Sequence, residues 1–409
     1  MNTILHQDAL QILNSAILSV KPDAAVQRAI SDMTFSGRLI LVAIGKAGWQ
    51  MAKAAVDCLD YPIHKGIVVT KYGHVNAPIP GVTCYEAGHP VPDQNSFQAT
   101  KAVLEITKDL TAEDTVLFLV SGGGSALFEL PEISEEELSS ITTFMLKSGM
   151  NINEMNCIRK RLSKVKGGKF ARWCAPAKVE SIILSDIVGD PLDMIASGPC
   201  APDSTTCEDA ADICAKYSVP LSSAAKQAMS VETPKELVNV SNRITGSVKQ
   251  LCAAAAKEAE SLGYSPIILG DDYTCDAEEF GRLMASVLMS NIAEQKLCVI
   301  GGGETVVQVK GNGLGGRNQH LALTAAQYLA GYSHMAAASI GSDGTDGPTD
   351  AAGGYVDGDT VSALRDKGLS ITDILRENDS YHGLQAVGGL IITGPTGTNV
   401  NDVTIGLIQ

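Results

Sequence analysis

The stretch LILVAIGKAGWQMAKAAVDCLDYPIHKGIVVT, residues 39–70, decides the fold. Its first six residues are continuously apolar, as expected of a strand buried on both faces. Past Gly45 the period changes: Met51, Ala52, Ala55, Val56 and Leu59 fall on one face of a helix starting near Gly48. GIVVT at 66–70 is a second buried strand. Strand, helix and strand in this order imply a parallel pair with a crossover helix, and hence an α/β chain with a largely parallel sheet.

The first strand empties into a glycine-rich polar turn, and the same pattern recurs along the chain. VLFLVSGGGS (116–125), SIILSDIVGD (181–190), CVIGGGETVVQVKGNGLGGRNQ (298–319) and AAASIGSDGTDG (336–347) all run from apolar to glycine-rich. In open α/β sheets ligands gather outside the carboxyl ends of the strands, so these turns are expected to share a cleft.

A chain of 409 residues exceeds what one core usually serves, which predicts two domains. The turn-rich segment SVETPKELVNVSNRITG, 230–246, separates two α/β patterns and places the boundary near 240. Residues 1–240 read as a Rossmann-like domain with a mainly parallel sheet, and 241–409 as an α/β domain with a mixed sheet. The mixed sheet follows from GLIIT (389–393) and VTIGLI (403–408), which flank GPTGTNVND and read as a hairpin. Residues 5–31 read as one or two amphipathic helices broken near Pro22, free to pack on the other domain.

A net charge of −15 disfavours a nucleic-acid surface. The ten cysteines show no C-x-x-C pair and no zinc spacing, so reduced thiols are expected. The N-terminus lacks a basic, continuously apolar leader and no run approaches membrane-spanning length, so the chain reads as cytoplasmic without a membrane partner.

Several motifs carry possible chemistry. Lys46, between Gly45 and Gly48, lies at a strand-to-helix turn suited to an anion, or is a solvated lysine beside a turn. Neither Lys46 nor Lys169 has the hydroxyl of a Walker motif. Ser121, Gly122, Gly123, Gly124 and Ser125 offer amides for a phosphate or carboxylate, or form a tight turn without a ligand. Gly301, Gly302 and Gly303 read as a close backbone approach to a ligand, with Glu304 and Arg317 as the charges that phosphate chemistry uses. Gly311 to Gly316 fits G-x-G-x-x-G, but it opens into Arg317, which suits a phosphoryl clamp better than a ribose contact. Asp186, Asp190, Glu304 and Asp343 are sparse acids in glycine turns, suited either to magnesium or to their own backbone. His89, in EAGHPVPD, is a general base, a ligand contact or an ordinary loop residue. The basic run from Arg159 to Lys169 reads first as a solvated helix face.

Six motifs taken together, VAIGKAG (42–48), EAGHPVPD (86–93), SGGGSAL (121–127), LSDIVGDPLDMIASGP (184–199), GGGETVVQVKGNGLGGRNQ (301–319) and SIGSDGTDGPTDAAGG (339–354), resemble the glycerate 2-kinase family. Its members often carry the label hydroxypyruvate reductase and are unrelated to P-loop kinases. The resemblance implies ATP- and magnesium-dependent phosphorylation of D-glycerate to 2-phosphoglycerate in an interdomain cleft, with Lys46 and Arg317 as the catalytic pair. On the residues themselves, the metal is expected on Glu304, Asp190, Asp343 and Asp186, and substrate or nucleotide on the glycine turns, Asn318 and His89. The motif around Asp190 is one acid shorter than the GDD form of many relatives. The rivals are a sugar-phosphate isomerase-like binding protein and an NAD(P)H-dependent reductase.

Overall fold

The computed structural model describes residues 2–291 and 296–409. It divides into two compact units, each discontinuous in sequence: Val26–Leu184 with Asp190–Thr245, and Met1–Ala25 with Ser185–Gly189 and Gly246–Gln409. The chain crosses at Thr245–Gly246, after Ala25 and on either side of Ser185–Gly189.

The first unit is doubly wound. Its strands are β1 (Leu39–Ile44), β2 (Ile63–Lys71), β3 (Val82–Ala87), β4 (Thr115–Val120), β5 (Lys178–Leu184) and β6 (Val240–Gly246), ordered β3-β2-β1-β4-β5-β6. β1 pairs in parallel with β2 and β4, as do β2 with β3 and β4 with β5. β1 and β4 are buried throughout, as their unbroken apolar runs require. The strand order reverses between them, so their carboxyl ends form the topological switch point. Beside the sheet, the helices Glu135–Lys147, Ile152–Leu162, Cys207–Tyr217 and Ser223–Met229 enclose Leu138, Ile141, Met145, Ile158 and Leu162.

The second unit holds a mixed sheet of β7 (Ser265–Tyr273), β8 (Leu297–Gly303), β9 (Met335–Gly341), β10 (Gly353–Asp357), β11 (Leu390–Ile391) and β12 (Asp402–Ile408), ordered β11-β10-β9-β12-β8-β7. The mixed character was expected, but the hairpin is not its source. β11 pairs with β10 at the sheet edge, while β12 inserts antiparallel between β9 and β8. VTIGLI is apolar on both faces because it is a central strand, and the loop before it carries the chain past β10 and β9.

Alternate side chains of this sheet serve two cores. Cys298, Ile300, Val403 and Ile405 meet Leu5, Ile12 and Leu13 of the helix Thr3–Ser19 and Leu251 of the helix Val248–Ser261. Leu297 and Val299 meet Phe280 and Met284 of Ala277–Ser290 and Leu321 of Arg317–Leu329. Asn2 caps the first helix by accepting from the Ile4 and Leu5 amides. That helix has an apolar stripe and no partner within its own stretch of sequence, and the amphipathic reading of residues 5–31 anticipates such a stripe.

Candidate active site

In the doubly wound unit the ends of β1 and β4 are stitched together by their own turns. The Ser121 amide donates to the Ile44 carbonyl at 3.0 Å, and the Lys46 amide to the Gly122 carbonyl at 2.9 Å. The Ser121 hydroxyl donates to the Ile44 carbonyl at 3.1 Å and accepts from the Ala47 amide at 3.0 Å. Gly45 has φ 105°, and a β-carbon there would lie 2.3 Å from the Ser121 carbonyl oxygen. Only glycine allows the turns to touch.

This stitching sorts the residues of the motif. The Ser121 hydroxyl is engaged in structure, and that of Ser125 shares a hydrogen bond with Ser197 at 3.0 Å. The Gly122, Gly123 and Gly124 amides have no backbone acceptor among the described residues. They are the open donors of the loop. The β-carbon position of Gly123 lies 3.0 Å from the His89 ring and 3.3 Å from Lys46 Cγ. Lys46, His89 and these amides therefore share one corner at the switch point. The Lys46 ammonium has no acceptor among the described residues. Burial, and then the charges of Lys46, Lys71 and His74, lower the His89 pKa, so the ring is neutral at neutral pH. Open amides, an unengaged ammonium and a neutral imidazole form a site for an anion with an adjacent proton acceptor.

Behind the loop lies strained backbone. Ala196 and Ser197 have φ of 51° and 60°, and a β-carbon on Gly124 would come within 2.7 Å of the Ala196 methyl group. Such conformations cost about 1–3 kcal/mol each and collect at functional sites. Nearby in sequence, Asp190 has φ 53° and a buried Oδ1 without a hydrogen-bond partner. Asp193 is held by Lys160 at 2.9 Å.

The mixed-sheet unit holds a second cluster, around Arg317. Its Nε and Nη2 donate to Asp402 at 2.6 and 3.0 Å, and Nη1 to Glu304 at 3.0 Å. Asn401 Nδ2 donates to Glu304 Oε2 at 3.3 Å and to the Asp186 carbonyl at 3.2 Å. Burial raises Asp402 to about 6, against the opposing pull of Arg317. Arg317 is penalised by burial, yet Asp402 and Glu304 hold its pKa above the usual guanidinium value. Asp346, buried, accepts from the Asn318 and Gln319 amides at 3.1 and 2.8 Å, so the N-terminus of the helix Arg317–Leu329 already carries an anion.

Several sequence expectations change here. Gly301, Gly302 and Gly303 do not open towards a ligand: they lie in β8, paired with Thr404, Val403 and Asp402. β-Carbons on Gly301 and Gly302 would lie 2.5 Å from Phe280 and from Cys252, so packing explains them. Asn318 is buried between Asp346 and Ser339, which occupy its amide and its carbonyl oxygen. Asp343 accepts from the Thr345 amide and hydroxyl at 2.9 and 3.1 Å, an Asx turn. Among the described residues no three His, Cys, Asp or Glu side chains converge as a metal site. Gly311 and Gly313 pack against the backbone of Glu377 and against Asp379, where no pyrophosphate can approach.

The basic run is not a solvated face. Lys160, Arg161 and Lys166 are at most 1% exposed. Lys160 pairs with Asp193 and Asp203, and Lys166 with Glu129. Asp402, central to the Arg317 cluster, opens β12, but in sequence it follows GPTGTNVN, a context in which aspartate is ordinary turn chemistry.

Comparison with known proteins matches nearly the whole chain. Residues 8–230 match the model of a domain of unknown function, DUF4147, and residues 297–402 that of the MOFRL family. The chain is 50% identical to a D-glycerate 2-kinase of Thermotoga maritima, over 99% of this chain and 98% of that one. It is 39% identical to a glycerate 2-kinase of Pyrococcus horikoshii, over 99% and 97%. A crystal structure of glycerate kinase from Thermotoga maritima superposes with a TM-score of 0.95 at 49% identity, covering 99% of each chain.

Proposed function

Because this chain belongs to the glycerate 2-kinase family, we propose that it transfers the γ-phosphoryl group of ATP to the 2-hydroxyl of D-glycerate. The observation that carries the reading is the corner at the β1–β4 switch point, where the Lys46 ammonium and the Gly122–Gly124 amides stand unengaged beside neutral His89.

Phosphoryl transfer asks a protein chiefly to position groups and to stabilise charge. The amides at 122–124 hold an anionic group of substrate or nucleotide, and Lys46 neutralises phosphoryl oxygens. Arg317, preset by Asp402, serves the same reaction as a fixed fork. The glycerate 2-oxygen forms its bond to phosphorus as the bond to the bridging oxygen of ADP breaks, and ADP leaves with that electron pair. His89 is available for the hydroxyl proton.

Magnesium, when bound, offsets the charge of the β- and γ-phosphate oxygens. It characteristically takes one or two carboxylates together with substrate phosphates and waters, so a three-acid cluster is not required. The orphaned, buried Asp190 Oδ1 fits that donor set. In the mixed-sheet unit, Glu304 is available to a metal only if it yields its contact with Arg317. Among the described residues no helix is long and apolar enough to cross a membrane. All ten cysteines are free, which suits a reducing cytoplasm.

The test is phosphorus NMR of the product formed from ATP, magnesium and D-glycerate. A 2-phosphoglycerate signal is expected. A 3-phosphoglycerate signal overturns the regiochemistry, and oxidation of NADH by hydroxypyruvate without any coupling enzyme overturns the kinase reading in favour of the reductase.

A further inference from the structure

The doubly wound unit contains a cavity of about 620 Å³ that the turns described above do not line. Four cations, Arg161, Lys164, Lys169 and Arg172, surround it against a single carboxylate, Glu132, in a chain of net charge −15. Lys164 and Arg172 are exposed, and neither has an ion-pair partner among the described residues. Lys169 is buried and donates to the Arg161 and Ser163 carbonyls at 3.1 and 2.6 Å, so its charge has acceptors but no counter-ion. Burial lowers its pKa to about 8, with the Glu132 charge opposing that fall. Arg161 reaches Asp203 and Glu232 at 3.5 Å, yet its Nε is buried without a partner. An excess of positive charge in a concave site, with Lys164 and Arg172 unpaired among the described residues, calls for an anion.

The remaining wall selects among anions. Trp173 is 46% exposed and Val231 54%, and both line the cavity beside Ala228. The indole N–H donates to Thr107 at 3.2 Å, which fixes the ring while leaving it open to the cavity. Thr107 lies on the chain leading into β4, at the strand end opposite Ser121, so this wall is separate from the switch-point turns. An inorganic anion would use the cations and leave the indole and valine wetted. A planar heterocycle carrying phosphate would use both sets, and the volume falls within the few hundred Å³ of small-molecule pockets.

We propose that this cavity is a binding site for a nucleoside phosphate, with the base against Trp173 and the phosphate among Lys164, Lys169 and Arg172. The site lies wholly within one unit, and the inference stands whether or not the chain phosphorylates glycerate.

The chain has two tryptophans, so Trp49→Phe leaves Trp173 as the only indole reporter. In that background, titration with AMP is expected to change Trp173 fluorescence saturably, with pyrophosphate and adenosine each binding at least about tenfold more weakly. The variant K164E/R172E is expected to weaken AMP by at least about tenfold, while turnover with ATP and D-glycerate stays within about twofold of the parent. Absence of a saturable change with AMP, or an unchanged AMP titration in K164E/R172E, overturns the proposal. Pyrophosphate binding as tightly as AMP overturns the nucleoside assignment. Far-ultraviolet circular dichroism of the double variant, whose altered positions are exposed, controls for folding.

Discussion

Asp402 grips Arg317 with both carboxylate oxygens, taking Nε at 2.6 Å and Nη2 at 3.0 Å, so the orientation of the guanidinium is fixed by the protein itself. The fork is anchored on one edge, while Nη1 meets only the half-exposed Glu304. An anchored cation needs little reorganisation when charge develops nearby, which is how electrostatic preorganisation lowers a barrier.

Arg317→Lys tests the fork. Lysine keeps the charge but cannot engage Asp402 through two planar donors. It is expected to lower kcat by about a hundredfold or more, with Arg317→Ala lower by about a thousandfold, within the range of lost arginine clamps. Steady-state kinetics with a thermal-melt control measures this. Turnover of the lysine variant within threefold or so of the parent would show that charge alone suffices there.

Asp402 should also write an acid limb into the pH profile. Its pKa is raised to about 6 by burial, so below that pH the carboxyl takes a proton and loses its charge-assisted hold on Arg317. kcat/KM is expected to fall as pH drops through about 6. Asp402→Asn, locked in the neutral form, should have a lower plateau and lack this limb. A limb near 6 that persists in the asparagine variant would assign it to another group.

Lys46 makes the opposite structural prediction. Its ammonium has no acceptor among the described residues, so Lys46→Ala removes no fold contact and should move Tm by less than about 2 °C. Turnover should nevertheless fall by about a hundred- to a thousandfold, the usual effect of deleting one oriented donor. A variant that is strongly destabilised, or as active as the parent, would contradict that division of labour.

The sequence reveals the parts of this molecule whose partners are near in sequence or whose burial is symmetric. LILVAI and VLFLV announce β1 and β4 because strands buried on both faces are apolar throughout, and the turns after them follow directly. The position of β12 is not legible, because insertion between β8 and β9 is a choice among distant strands that leaves no local mark. The buried cations are hidden for a different reason. Lys160, Arg161 and Lys166 look like solvent residues until Asp193, Asp203 and Glu129 arrive from other loops. Asp402 is hidden by its company, since glycine, asparagine and threonine around it are what any turn would show.

Gly45 offers a test of the switch-point architecture. A β-carbon there would lie 2.3 Å from the Ser121 carbonyl oxygen, and φ 105° is itself unfavourable to alanine. Gly45→Ala must therefore part the two turns or strain both. A loss of about 2–4 kcal/mol in stability is expected, together with reduced turnover as the Gly122–Gly124 amides shift. Urea denaturation gives the first quantity, and a loss below about 1 kcal/mol would mean that the turns are not in contact.

The pair Glu129–Lys166 tests the buried cation cluster. Both side chains are at most 5% exposed, and burial presses the Lys166 pKa below the ordinary lysine value, with Glu129 opposing that fall. Removing the carboxylate leaves an ammonium in a dry site, where it must either remain as an uncompensated charge or give up its proton. Glu129→Ala is expected to lose about 3–5 kcal/mol of stability, and Glu129→Ala with Lys166→Met to recover much of it by removing the orphaned charge. Urea denaturation of both variants measures the difference. If the double variant is no more stable than the single one, the loss comes from the cavity left at 129 and not from the stranded cation.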